Sequence, residues 1–220
     1  ATRLPAYASG GWADAKEIGA QLQSYIDAGG FGAVKMRVGS MDDRPHVSAE
    51  RVQAARKALG PGVELMVDAH GTYTVAEAKR FAALVEGCDL AWFEEPISAD
   101  DRAGLAEFRA TTAIPVAIGE SECTRFDFAA LICARTVDIV QPDPAFCGGI
   151  TEAMRIAALA SSFNLRLAPH LWAGAPCFFA GLHVLAAAPA GYIVEFSLGA
   201  NPMIHKLSRA PVVVQDGTIA

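Results

Sequence analysis

Leu65-Met66-Val67-Asp68-Ala69-His70, Ala91-Trp92-Phe93-Glu94-Glu95-Pro96 and Ala117-Ile118-Gly119-Glu120-Ser121 are three runs of one design, each an apolar stretch ending on a carboxylate. The acids are evenly spaced, 26 residues from Asp68 to Glu94 and 26 from Glu94 to Glu120. Downstream, Gln141-Pro142-Asp143 follows after 23 residues, Pro169-His170 after another 27, and Val194-Glu195-Phe196 after another 25. Upstream, Lys35-Met36-Arg37 closes an earlier apolar run. A step of that length holds one strand, one helix and two short loops. Successive titratable groups therefore come to one rim of a repeating β/α architecture.

The rest of the chain supports that repeat. Apolar runs at 5–9, 33–38, 65–67, 90–93, 116–118, 137–140, 165–168 and 192–194 alternate with amphipathic or Ala-rich stretches at 13–28, 47–59, 75–86, 100–110, 125–135, 149–162 and 174–187. Strands apolar on both faces, alternating with helices, predict a parallel sheet covered by helices. No G-x-G-x-x-G follows the first strand and no G-x-x-x-x-G-K-[ST] occurs, so a nucleotide-binding doubly wound sheet is disfavoured. The expectation is an α/β fold, a single (β/α)8 TIM-type barrel over residues 1–220, with its last helix missing or replaced by the tail after Phe196. Starting at Ala1 and stopping just after Asp216-Gly217, the chain is expected to be a fragment of a longer protein.

Composition sets the surroundings. The 220 residues are 52% hydrophobic and 19% charged, with a net charge of -6, which describes a globular domain and argues against nucleic acid or anionic membrane as partners. Five scattered cysteines without a C-x-x-C pair give neither a disulfide framework nor a zinc cluster, and the expected compartment is the reducing cytoplasm. No basic stretch followed by an apolar run opens the chain in the manner of a secretory leader. Residues 171–194 lack Asp, Glu, Lys and Arg, but Pro176, His183 and Pro189 interrupt them, predicting a buried helix and then a buried strand.

Taken singly, an acid at a strand-to-helix junction is often a helix cap, a lone histidine a structural one, and Lys35 and Arg37 a surface pair. The regular spacing changes that balance. Three adjacent carboxylates at one barrel mouth repel each other unless positive charge sits among them. Oxygen donors from Asp68, Glu94 and Glu120, without Cys or His at matching positions, suit magnesium, with manganese as a substitute. Across the rim, His170 and Asp143 follow neighbouring strands, so the carboxylate can orient the imidazole as a base. Lys35 and Arg37, two apart, point the same way from a strand and can meet a substrate carboxylate. Arg37 stays protonated and is a poor base.

The ordered set Lys35-Met-Arg37, Val-Asp68-Ala, Phe-Glu94-Glu95-Pro96, Gly-Glu120-Ser, Pro-Asp143 with Gly148-Gly149-Ile-Thr151, Pro-His170 and Glu195-Phe resembles the enolase superfamily, within it the mandelate racemase subgroup and its acid-sugar dehydratases. The resemblance implies Asp68, Glu94 and Glu120 as metal ligands, Glu95 as their neighbour, and His170 with Asp143 as the catalytic dyad. It implies that Glu195 hydrogen-bonds a substrate oxygen while carrying or sharing a proton. It further implies an enediolate intermediate, a small carboxylate substrate, an N-terminal capping domain absent from this chain, and a homo-oligomer for the full-length protein. On that pattern the tail at 211–218 is expected to return toward the cap, and the loops 39–46 and 171–176, with Trp172, to face substrate. The family's Lys-x-Lys pair has Arg37 in its second position. One good base then favours dehydration of a sugar acid to a 2-keto-3-deoxy acid over racemisation. The alternatives are a racemase or epimerase using Lys35, a lyase whose metal chelates phosphate, and a non-catalytic barrel.

Overall fold

The computed structural model describes residues 3–209 and 211–220. Strands β1 (Leu4–Gly10), β2 (Ala33–Arg37), β3 (Glu64–Asp68), β4 (Leu90–Glu94), β5 (Val116–Ile118), β6 (Ile139–Val140), β7 (Arg166–Leu167) and β8 (Val194–Ser197) are parallel. They pair in the order β8-β1-β2-β3-β4-β5-β6-β7. The ring closes where Leu167 bridges Gly191 in parallel, with Tyr192 N–H donating to Leu167 O at 2.8 Å. This is the expected (β/α)8 barrel.

Helices α1 (Ile18–Gly29), α2 (Pro45–Leu59), α3 (Val75–Leu84), α4 (Arg102–Arg109), α5 (Thr124–Cys133), α6 (Ile150–Ser162) and α7 (Ala175–Ala187) fill the crossovers. Sequence chemistry marks their ends. Thr74 and Glu77 form a reciprocal capping box at the start of α3, and Gly30 takes a left-handed conformation to end α1. The first helix begins at Ile18 rather than near residue 13, because the Asp14 carboxylate accepts the Lys16 and Glu17 N–H groups and holds a turn there. The last helix, expected to be missing or replaced by the tail, is a single turn, α8 (Pro202–His205).

Two-residue periodicity places the site. In β2, Val34 and Met36 face the helices and join the outer core with Leu22 and Val52. Ala33, Lys35 and Arg37 take the opposite face. Inside the barrel, Tyr7, Met66, Trp92 and Ile139 form an apolar floor with small neighbours Ala117 and Ala168. Trp92 meets Tyr7 edge-on, with centroids 5.2 Å apart. One step along the same strands lie Ser9, Lys35, Asp68, Glu94 and Glu195, all buried, so polar groups rest directly on that floor.

The tail does not return toward the strand ends that carry these groups. Strands β9 (Val214–Gln215) and β10 (Thr218–Ile219) form a hairpin through Asp216-Gly217, both at positive φ, and β10 pairs antiparallel with the start of β1. Leu4 and Pro5 offer a strand edge, and the hairpin pairs with it at the opposite end of the barrel. The uncharged stretch 171–194 folds as α7 followed by the approach to β8. No helix among the described residues is long and apolar enough to cross a membrane.

Candidate metal and proton-transfer site

Asp68 and Glu94 end β3 and β4, and Glu195 lies in β8, while Glu120, Asp143 and His170 stand on the loops just past β5, β6 and β7. One oxygen each from Asp68, Glu94 and Glu120 lie within 4.8 Å of one another. Oε2 of Glu120 is buried with no hydrogen-bond partner. Three hard oxygen donors and an unpartnered carboxylate oxygen fit a magnesium ion, which takes such ligands and keeps room for water. These residues would hold it.

Glu94 is fixed from both sides. Lys35 Nζ donates to Oε1 at 2.5 Å, while Trp92 Nε1 and Gln141 Nε2 donate to Oε2 at 3.1 and 2.8 Å. Burial pushes its pKa up to about 7, against the pull of Lys35. Asp68 accepts from Arg37 Nη1 at 2.7 Å and from the His70 backbone N–H at 2.9 Å. Glu95 is also buried. Burial, then the charges of Glu120 and Asp68, raise it to about 8. Crowded negative charge of this kind is relieved by a divalent cation.

Lys35 reaches further, with Nζ 3.1 Å from Glu195 Oε1 and 3.6 Å from Asp68 Oδ2. Burial opposes its charge, but Glu195 and Glu94 outweigh that and hold its pKa well above the ordinary lysine value. In this geometry Lys35 is an ammonium donor to Glu94. Glu195 is held by an ammonium and two hydrogen-bond donors. Burial would raise its pKa, but Lys35, His170 and the hydrogen bonds from Leu171 N–H and Ser9 Oγ bring it down to about 2. In this arrangement each of its carboxylate oxygens already faces a donor.

His170 stands opposite. Nδ1 is 2.7 Å from Asp143 Oδ2, and Nε2 faces Glu120 Oε2 at 3.5 Å. Burial would lower its pKa; the Asp143 hydrogen bond, with the charges of Glu195 and Glu120, outweighs it and raises the value to about 9. Asp143 Oδ1 in turn accepts from Ala145 N–H at 2.6 Å and Cys177 Sγ at 3.1 Å, so the carboxylate cannot rotate away. Trp172 lines the cleft above with Trp12, the two rings edge-on with centroids 6.3 Å apart.

The site brings together all eight residues expected from the sequence: Lys35, Arg37, Asp68, Glu94, Glu120, Asp143, His170 and Glu195. It also contains residues that sequence reasoning left without a role. Trp92 and Gln141 anchor Glu94, Ser9 anchors Glu195, and the His70 ring stands 2.8 Å from Glu120 Oε1 through Nδ1. Trp92 sits two residues before an inward-facing acid, and His70 two after one; that spacing was the available signal. Both His70 and Glu95 have positive φ, 48° and 39°, held by Gly71 N–H donating to Glu95 O.

A family model described as Enolase C-terminal domain-like matches residues 17–220. D-galactarolactone cycloisomerase of Agrobacterium fabrum is 35% identical over 201 residues, covering 87% of this chain and 52% of that protein. Arabinonate dehydratase of Saccharolobus solfataricus is 31% identical over 218 residues, covering 98% of this chain and 58% of that one. A Bradyrhizobium enolase crystallised with magnesium and mandelic acid superposes with a TM-score of 0.85 at 29% identity, covering 99% of this chain and 57% of its own. The chain thus spans a little over half the length of these relatives.

Proposed function

The chain belongs to the enolase C-terminal domain-like family, and from that premise we propose that its parent protein dehydrates a sugar acid to a 2-keto-3-deoxy acid. The observation that carries the reading is His170 oriented by Asp143 opposite the carboxylate cluster, with Lys35 engaged as a cation by Glu94. A bound magnesium ion supplies the positive charge that makes a proton α to a carboxylate acidic. Manganese has the same ligand preferences.

His170, in its neutral form, takes the α-proton through Nε2, while Asp143 keeps Nδ1 protonated and the ring in line. Lys35 and Arg37 hold positive charge beside the developing carbanion. The electron pair left on the α-carbon expels the β-hydroxyl. That oxygen leaves as water with a proton from His170 or from His70, the other imidazole at the rim. The enol then tautomerises to the keto acid. Trp12 and Trp172 line one side of the cleft. Five free cysteines fit a reducing cytoplasm.

The test is a panel of sugar acids in deuterated water with the full-length protein, read for keto acid and product mass. Loss of water supports the proposal. Deuterium exchange or inversion at constant mass would instead mark a racemase or another isomerase, and no turnover or exchange across the panel a non-catalytic barrel.

A further inference from the structure

Glu120 faces two ways. Oε2 points toward His170 and the inner carboxylates, whereas Oε1 points outward to His70 Nδ1 at 2.8 Å. Glu95 Oε2 lies 3.7 Å from the same ring nitrogen. One ligand atom each from His70, Glu95 and Glu120 lie within 4.8 Å of one another. The Glu95 side chain is only 5% exposed, and its Oε1 is buried without a hydrogen-bond partner. His70 is 59% exposed and borders, with Glu95, a polar cavity of about 360 Å³ that opens to solvent. Arg102 lines that cavity too, but Glu122 neutralises it. His70 and Glu95 come from adjacent loops, both at positive φ.

We propose that His70, Glu95 and Glu120 form a second, outer metal site that takes a zinc-class divalent cation, with Glu120 bridging it to the inner cluster. The donor sets differ, and that difference sorts the ions. Three carboxylates suit magnesium, whereas one imidazole nitrogen with two carboxylates suits zinc or its close relatives. The outer site rests on the proposed reading only for the identity of the inner ion. It also has a consequence for that reading: an ion on Nδ1 occupies His70 and removes it as a proton donor.

The full-length protein, stripped by chelation and saturated with magnesium, is titrated with zinc by calorimetry and examined by zinc-edge X-ray absorption. The expected result is one zinc per chain with a single imidazole ligand. His70→Ala or Glu95→Gln should weaken that event by more than ~10-fold, the scale on which even an outer partner of a ligand acts. Asp68→Asn should abolish magnesium binding and leave the zinc event in place. No zinc event, one unchanged in His70→Ala, or zinc that displaces magnesium without a nitrogen ligand overturns the outer site. A protein that takes zinc at His70 but no magnesium overturns the inner assignment instead and leaves the outer site standing.

Discussion

Nδ1 of His170 sits 2.7 Å from Oδ2 of Asp143, whose side chain has no solvent exposure, while the other ring nitrogen faces the carboxylate cluster. The acid can only receive a hydrogen bond, so the ring keeps its proton on the Asp143 side and offers Nε2 to the cleft. Replacing Asp143 by Asn should lower kcat by roughly 10²- to 10⁴-fold with little change in KM, the span general-base catalysis contributes. Solvent deuterium exchange into the substrate checks it. A matching loss of binding would show that Asp143 only shapes the pocket.

The same pair makes stability depend on pH. In the metal-free protein His170 titrates near 9, above its ordinary value of 6.5. Its folded form binds the proton more tightly, so its contribution is fully present below about pH 6.5 and is lost as pH rises through about 9. Melting temperatures of wild type and His170→Asn, measured with chelator across that window, should converge toward the alkaline end.

Glu95 is disfavoured in its charged form, and its contribution also falls as pH rises. Its pKa of about 8 against an ordinary 4.5 means the folded protein loses stability as pH rises from about 4.5 to 8, because the unfolded chain ionises first. Glu95→Gln removes the charge and keeps the shape. Without metal, the variant should melt above wild type at pH 8 and draw level near pH 4.5. Equal melting at both pH values would show that Glu95 ionises freely.

Cation binding at the inner cluster should register as stability. A ligand at 100 times its Kd stabilises the folded state by about 2.7 kcal/mol. Magnesium should therefore raise the melting temperature of wild type but not of Asp68→Asn or Glu94→Gln. An equal rise in all three would place the ion elsewhere.

Gly119 controls where Glu120 points. Its φ is 153°, and a Cβ there would sit 2.6 Å from the Gln141 backbone carbon. Gly119→Ala should destabilise the fold by about 1–3 kcal/mol, the scale of backbone strain at such positions, and weaken magnesium binding as well. Denaturant unfolding and metal titration read the two effects separately.

The repeat was legible in the chain because each β/α unit is nearly the same length. Asp68, Glu94 and Glu120 recur every 26 residues, and two-residue alternation turns each inward. Strand positions, the closed barrel and the chemistry of the rim follow from that periodicity, which needs only local information. What joins across strands was not legible. Gln141 meets Glu94 over 47 positions, and Ser9 meets Glu195 over 186. Lys35 settles among three acids, Glu195 gathers donors from three separate segments, and the tail hairpin pairs with the start of β1. Each of those outcomes is set by which groups share a buried volume of low dielectric, and only the closed tertiary structure brings them together.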